Sequence, residues 1–326
     1  MAQKCKNQDR ENPLIYATLD CICHVAQEKI TAAGEDSFCY GISENSVLLG
    51  VFDGCGGSGA KKYPAFQNRT GAYIGARAVA GAVYRWFEDE KPTTDYSRNG
   101  ENVKATIVRS LTVCKENCMN TESKIKGSIS KEFPTTAAIA RCVVQTGGVL
   151  VACYWAGDSR VYLLDADGLA QLTADDLDDL DAFENISGDG VLTNVISVSR
   201  PFVLHSRSIA LRRPCFLFAA SDGCYGYIPS PMEFEGFLLE QLEKADSFVD
   251  FEENLRRELA HISGDDFSLI GAAFGFGTFS ELKRLLGERY QNLNAGYLSH
   301  IIQQDGESRR IMWNQYRRQY YRFYGE

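Results

Sequence analysis

Aspartates at the ends of apolar runs are the feature of this sequence that most directly suggests chemistry. Val47 to Phe52 leads into Asp53-Gly54-Cys55-Gly56-Gly57, and Cys215 to Ala220 leads into Ser221-Asp222-Gly223. Val149 to Ala156 runs into Gly157-Asp158-Ser159-Arg160, Glu35-Asp36 follows Gly34, and Gly264-Asp265-Asp266 stands just before Phe267 to Phe274. Taken singly, an Asp-Gly pair after a strand is an ordinary turn. Five such sites in one chain allow another reading, because carboxylates that cap several strands can converge on one edge of a sheet. There they offer the hard oxygen ligands that Mg2+ and Mn2+ take, and glycines let backbone carbonyls approach an ion.

Other site chemistries find less support. The eleven cysteines are odd in number and dispersed, several inside apolar runs such as Cys153 and Cys215, which fits a reduced cytoplasmic compartment better than a disulfide framework. Cys21 and Cys23, or Cys114 and Cys118, have no second pair at zinc-finger spacing, and the four histidines, His24, His205, His261 and His300, are scattered. Cys215 has no arginine-bearing loop after it that would make it a phosphate-ester nucleophile.

The elements that must position the aspartates can be read from period. Ala72, Ala76, Val79, Val83 and Trp86 recur at helical steps, as do Val103, Ile107, Leu111, Cys114, Cys118 and Ile125, so each stretch is predicted to be a helix with one apolar face. The polar segment Asp89 to Gly100 reads as the connection of a helical hairpin. Val47 to Phe52, Val149 to Trp155, Val161 to Leu164, Cys215 to Ala220 and Phe267 to Phe274 read as strands covered on both faces, with Phe248, Phe251, Leu255 and Leu259 marking a helix before the last. Sheets with helices on their outer faces follow.

Composition narrows the partners. Forty-four per cent of the 326 residues are apolar, an ordinary globular proportion, and 43 acidic against 34 basic side chains leave a net charge of −9. That balance repels nucleic-acid phosphate and anionic membrane. Met1 to Pro13 is polar, and no run of about 18 apolar residues occurs, so neither a signal peptide nor a membrane span is expected. The acidic run Asp175 to Glu184 reads as a solvated surface. The tail, with Trp313, Tyr316, Tyr320, Tyr321, Phe323 and Tyr324 among Arg309, Arg310, Arg317, Arg318 and Arg322, reads as a helical appendix docked on its own domain in preference to a nucleic-acid arm.

Taken in order, Gly34-Glu35-Asp36-Ser37-Phe38, Val51 to Gly57, Thr135-Thr136-Ala137, Ala156 to Arg160, Ala220 to Gly223 and Ser263 to Ile270 resemble the metal-dependent protein phosphatases, the type 2C serine/threonine class, and their bacterial members in particular. The motifs are individually weak and jointly specific, and they run from about Cys21 to Phe274. The resemblance implies an α+β fold: a four-layer α-β-β-α sandwich of two antiparallel sheets flanked by helix pairs, in a catalytic domain at 14–276 with a helical extension at 277–326. It implies a phosphoserine/phosphothreonine protein phosphatase of bacterial signalling, acting through water that bridges two Mn2+ or Mg2+ ions, with a third ion possible. Phosphorylated protein substrates and a cognate serine/threonine kinase would be its partners, with no nucleic acid and no membrane.

Carried over by motif, Asp53 matches the aspartate shared by both metals and Gly54 the glycine whose carbonyl reaches one of them. Asp222 and Asp265 match ligands of the other metal, so that Asp53, Asp222 and Asp265 form the expected catalytic set. Glu35 and Asp36 match the early acidic pair, and Asp158 the aspartate that joins Asp222 at a weaker third metal. Asp265 is preferred to Asp266 by its distance from Ser268 and Ile270, although Asp266 could take part. Two departures stand out. Cys55 occupies a position that is often histidine, and Thr31 one that is often a phosphate-clamping arginine, for which Lys29, Lys61 or Lys62 could substitute as point charges. The competing expectation is a weak or inactive phosphatase fold serving as a regulated binding module.

Overall fold

A computed structural model describes residues 18–90, 96–119, 132–178, 181–187, 190–302 and 305–324. Along the chain lie β1 (Leu19–Gln27), β2 (Ser37–Ile42), β3 (Ser46–Phe52), the short α1 (Gly56–Gly59), a ribbon of β4 (Lys62–Tyr63) and β5 (Arg69–Thr70), α2 (Gly71–Asp89) and α3 (Tyr96–Met119). There follow β6 (Ala137–Gln145), β7 (Gly148–Ala156), β8 (Arg160–Asp165), β9 (Gly168–Gln171), α4 (Ala182–Ser187), β10 (His205–Leu211) and β11 (Cys215–Ala220). The chain continues through α5 (Pro231–Lys244), α6 (Phe248–Ile262), β12 (Phe267–Phe274), α7 (Phe279–Gly296) and α8 (Gly306–Tyr320).

Ten strands form two antiparallel sheets, ordered β1-β12-β11-β8-β9 and β10-β7-β6-β3-β2. Alternation along β3 shows why they stack. Val47, Leu49 and Val51 join Leu217, Ala219, Ile270 and Ala272 in the apolar layer between the sheets, while Leu48 and Phe52 turn to the other face, against α2 and α3. A third layer lies between β8, β11 and β12 and the helices α5 and α6. The expected four-layer α-β-β-α sandwich is therefore present. β3, β11 and β12 are buried along their whole length, as their two-faced apolar runs require.

Two local expectations change. α3 begins at Tyr96, so Gly100 belongs to the helix, where its bare Cα lies against the Tyr154 ring; residues 91–95 of the expected connection, and Ile125, lie outside the described residues. The acidic run is not a solvated surface. Asp175 pairs with the buried Arg160, Asp176 accepts from Gly157 N, and Asp181 caps α4 and accepts from Trp313, while Asp178 is exposed and Asp179 lies outside the described residues. A run of carboxylates thus finds enough buried donors to enter the core. The tail agrees with its expected docking: Leu282, Leu286 and Leu293 of α7 and Trp313, Tyr316 and Tyr320 of α8 belong to the same apolar cluster as α5 and α6.

The aromatic tail is accordingly docked on its own chain. None of the ten described cysteines forms a disulfide with another of them, Cys118 and Cys215 are buried, and Cys114 packs against the α2–α3 core. Among the described residues, no helix is long and apolar enough to cross a membrane.

Candidate active site

The strand ends place the aspartates. Asp53 directly follows β3, Asp158 follows β7, Asp222 follows β11, and Asp265 precedes β12, while Asp36 leads into β2. Because both sheets are antiparallel and stacked, these ends share one edge of the sandwich. The hydroxyls in the surrounding motifs explain the local geometry. Thr135 Oγ1 and Thr136 N both donate to the Asp53 carbonyl, at 2.7 and 2.8 Å, and Thr136 Oγ1 shares a 2.6 Å hydrogen bond with Ser159 Oγ. Ser221 Oγ donates to Asp36 Oδ2 at 2.7 Å and accepts from Ser268 N at 2.9 Å. The Ser221-Asp222-Gly223 turn also packs tightly on the neighbouring loop. A Cβ at Gly223 would come within 1.9 Å of the Asp266 carbonyl, so only glycine fits there.

The Asp53 carboxyl stands close to those of both Asp36 and Asp222. Burial raises the affinity of all these groups for protons, and their mutual repulsion adds to it. Asp36 is pushed up to about 7 and Asp158 to about 8. Asp53 lies well above the usual carboxylate range, and Asp222 is raised by burial and then by Asp265. Among the described residues, no lysine or arginine forms an ion pair with Asp36, Asp53, Asp158 or Asp222. Asp158 Oδ1 is buried without a hydrogen-bond partner. Such a set of oxygen donors suits a hard divalent cation.

Among the described residues, no three His, Cys, Asp or Glu side chains form a ready-made ligand set for one ion. Mg2+ and Mn2+ sites commonly hold the ion with one or two carboxylates and several waters, so pairs of aspartates meet the requirement.

The remaining expected residues separate by role. Gly54 is buried and bridges to Thr135. Glu35 diverges from Asp36: its carboxylate accepts from the Thr70 hydroxyl and lies over the Asp53 turn, where a Cβ on Gly56 would meet Glu35 Oε2 at 2.2 Å. Asp265 is exposed and adds its charge to the field at Asp222. Asp266 instead accepts the backbone N–H groups of Lys29 and Glu35, one on each oxygen at 2.7 Å, and so pins the β1–β2 loop. Lys29 Nζ donates to the Ser263 carbonyl at 2.7 Å, the Lys61 ammonium lies 4.8 Å from the Tyr63 ring centroid, and Lys62 is exposed on β4.

Two arginines escaped the sequence reading. Arg69 and Arg77 both lie over the Tyr73 ring, with guanidinium carbons 4.6 and 3.5 Å from its centroid. Arg69 also donates to the Ala32 carbonyl, and Arg77 to those of Gly34 and Glu35. Their signal was the spacing of Arg69, Tyr73 and Arg77, with Tyr73 and Arg77 one turn apart on α2 and Arg69 on β5 just ahead of that helix.

Solved structures share this fold. The serine/threonine phosphatase PstP/Ppp of Mycobacterium tuberculosis superposes with a TM-score of 0.54 at 14% identity, covering 78% of this chain and 97% of that one. Stp1 of Staphylococcus aureus gives 0.57 at 18% identity, covering 78% and 95%, and PppA, a regulatory component of T6SS in Pseudomonas aeruginosa, gives 0.54 at 15%, covering 80% and 99%. The fold is that of the bacterial serine/threonine phosphatases. The PstP catalytic domain has also been solved with two manganese ions, matching at 16% identity with a TM-score of 0.52. No protein-family description and no curated relative matches this sequence.

Proposed function

We propose that the chain is a Mn2+- or Mg2+-dependent phosphoserine/phosphothreonine protein phosphatase whose catalytic portion spans 14–276 and to which 277–326 is a helical addition. The observation that carries the reading is the convergence of Asp36, Asp53, Asp158 and Asp222 without, among the described residues, a cationic side chain paired to any of them. Crowded carboxylates raise one another's proton affinity and disfavour the folded state unless a cation compensates. Divalent ions held here would supply an acidified water and neutralise charge on the phosphoryl oxygens.

The chain's own residues have distinct tasks. Asp53, between Asp36 and Asp222, is the carboxylate able to serve two ions, with the Gly54 carbonyl beside it. Asp222 and Asp265 would hold one ion, and Asp36 with Glu35 the other, Ser221 fixing the orientation of Asp36. Asp158 and Asp222 would form the weakest pair, a third site. Cys55 donates its backbone N–H to the Pro134 carbonyl, which holds the turn; its half-buried thiol lacks the proton-donor capacity of a histidine. The substrate class is phosphoserine or phosphothreonine, as the fold neighbours' printed names, serine/threonine phosphatases, suggest; a cognate kinase and a cytoplasmic setting belong to the same reading.

The test is hydrolysis of a phosphothreonine peptide with Mn2+, with Mg2+ and with EDTA. Metal-dependent turnover that EDTA abolishes is expected; turnover that survives complete chelation overturns the mechanism.

A further inference from the structure

The guanidinium of Arg69 lies where the sequence lacks an arginine. Thr31 is exposed and carries no charge, yet the Ala32 carbonyl beside it accepts Arg69 Nη1. The next residue after Arg69, Thr70, donates its hydroxyl to Glu35, so the short β4–β5 ribbon delivers a cation to the rim of the acidic face.

The two arginines on Tyr73 are not equivalent. Arg77 is occupied: Nη1 reaches the Glu35 and Tyr73 carbonyls and Nη2 the Gly34 carbonyl, each at 3.4 Å. Arg69 has hydrogen-bond partners only at Nη1 among the described residues, leaving Nε and Nη2 available as a fork. Neither arginine has a carboxylate within ion-pair distance among the described residues. Two guanidinium groups on one ring repel each other, and a dianion beside them relieves that repulsion.

We infer that Arg69 binds the phosphoryl group of the substrate, replacing the arginine absent at position 31, while Arg77 positions the Gly34–Glu35 backbone. This rests on the phosphatase reading for its substrate class and on the Arg69–Tyr73–Arg77 geometry for its location. A planar fork can engage two phosphoryl oxygens at once, which a lysine cannot. Lys29 is also spent on the Ser263 carbonyl. The ligand chemistry is a phosphate monoester dianion or free phosphate.

The experiment is a calorimetric titration of inorganic phosphate into the Mn2+-supplemented full chain, paired with KM and kcat for a phosphothreonine peptide and an aryl phosphate. Arg69→Ala should weaken phosphate about fivefold to thirtyfold, the worth of one charge-assisted contact, and raise both KM values similarly with kcat within about threefold. Arg69→Lys should recover part of the loss, and Thr31→Arg should restore affinity in the Arg69→Ala background. Arg257→Ala, an exposed arginine on α6, should change nothing.

Unchanged phosphate affinity in Arg69→Ala overturns the inference, as does a loss that appears instead in Lys61→Ala or Lys62→Ala. A merely structural Arg69 would lower kcat and melting temperature together and leave phosphate affinity alone, which also overturns it. If phosphate binds through Arg69 but no ester is hydrolysed, the phosphatase reading fails and the anion site stands.

Discussion

At the acidic face, Asp36, Asp53, Asp158 and Asp222 crowd together with no lysine or arginine among the described residues paired to them, whereas in the seam under α7 and α8 the buried charges answer one another. Glu235, completely buried on α5, receives Arg289 Nε at 2.6 Å and Nη2 at 3.0 Å together with the Tyr316 hydroxyl. Asp165 receives Arg322, Asp181 receives the Trp313 indole N–H, and Gln171 receives the Tyr320 hydroxyl. Charges that satisfy each other belong to the architecture. Charges that repel persist in a folded protein where a ligand compensates for them, which is why the first set marks a site and the second a joint. The segment from Asp175 to Ala182 touches both regions, since Asp176 holds the Gly157 N–H beside Asp158 while the Ala182 N–H meets Tyr321.

Breaking the contrast should have its largest effect at the acidic face. Asp53→Asn and Asp222→Asn should each lower Mn2+-dependent turnover by orders of magnitude, while the melting temperature without metal stays level or rises because repulsion has been relieved. A loss of melting temperature in both would make these carboxylates structural. Next in size, Glu235→Ala should destabilise the protein by about 3–5 kcal/mol, the usual penalty for leaving a buried charge unpaired, as read by urea denaturation. The folded fraction should keep a kcat close to that of the unaltered chain.

An intermediate effect would sharpen the boundary. Asp176→Ala frees the Gly157 N–H next to Asp158, and a severalfold loss in the weakest Mn2+ affinity, read by metal titration, is expected with little change in the tighter sites. The smallest effect belongs to the exposed pair of Arg213 with Asp167: Arg213→Ala should leave the melting temperature unchanged within error.

Much of this contrast was legible in the sequence, for physical reasons that differ by region. β3, β11 and β12 announced themselves because strands buried on both faces carry unbroken apolar runs. β10 did not, since an edge strand with exposure alternating residue by residue reads His-Ser-Arg-Ser, and the alanine-rich start of β6 lacks strand character. The aspartates were visible through their repeated position at strand ends. The divergence of Glu35 from Asp36 was not, because it depends on Thr70, a residue 35 positions away. Asp175 misled for the same reason: its partner Arg160 and the stacked Tyr225 come from different elements. Arg69 was hidden because the expectation fixed on position 31 along the chain, while the structure supplies the cation to the neighbouring carbonyl through space.

The most direct test of the acidic face is the stoichiometry of Mn2+ binding, measured by electron paramagnetic resonance on the metal-stripped full chain. Two tightly bound ions per chain are expected, with a weaker third. If one carboxylate serves both ions as proposed, Asp53→Asn should weaken both tight sites together, and Asp222→Asn should spare one of them. Absence of Mn2+ binding, or loss of a single site in Asp53→Asn with the other unchanged, would contradict the account.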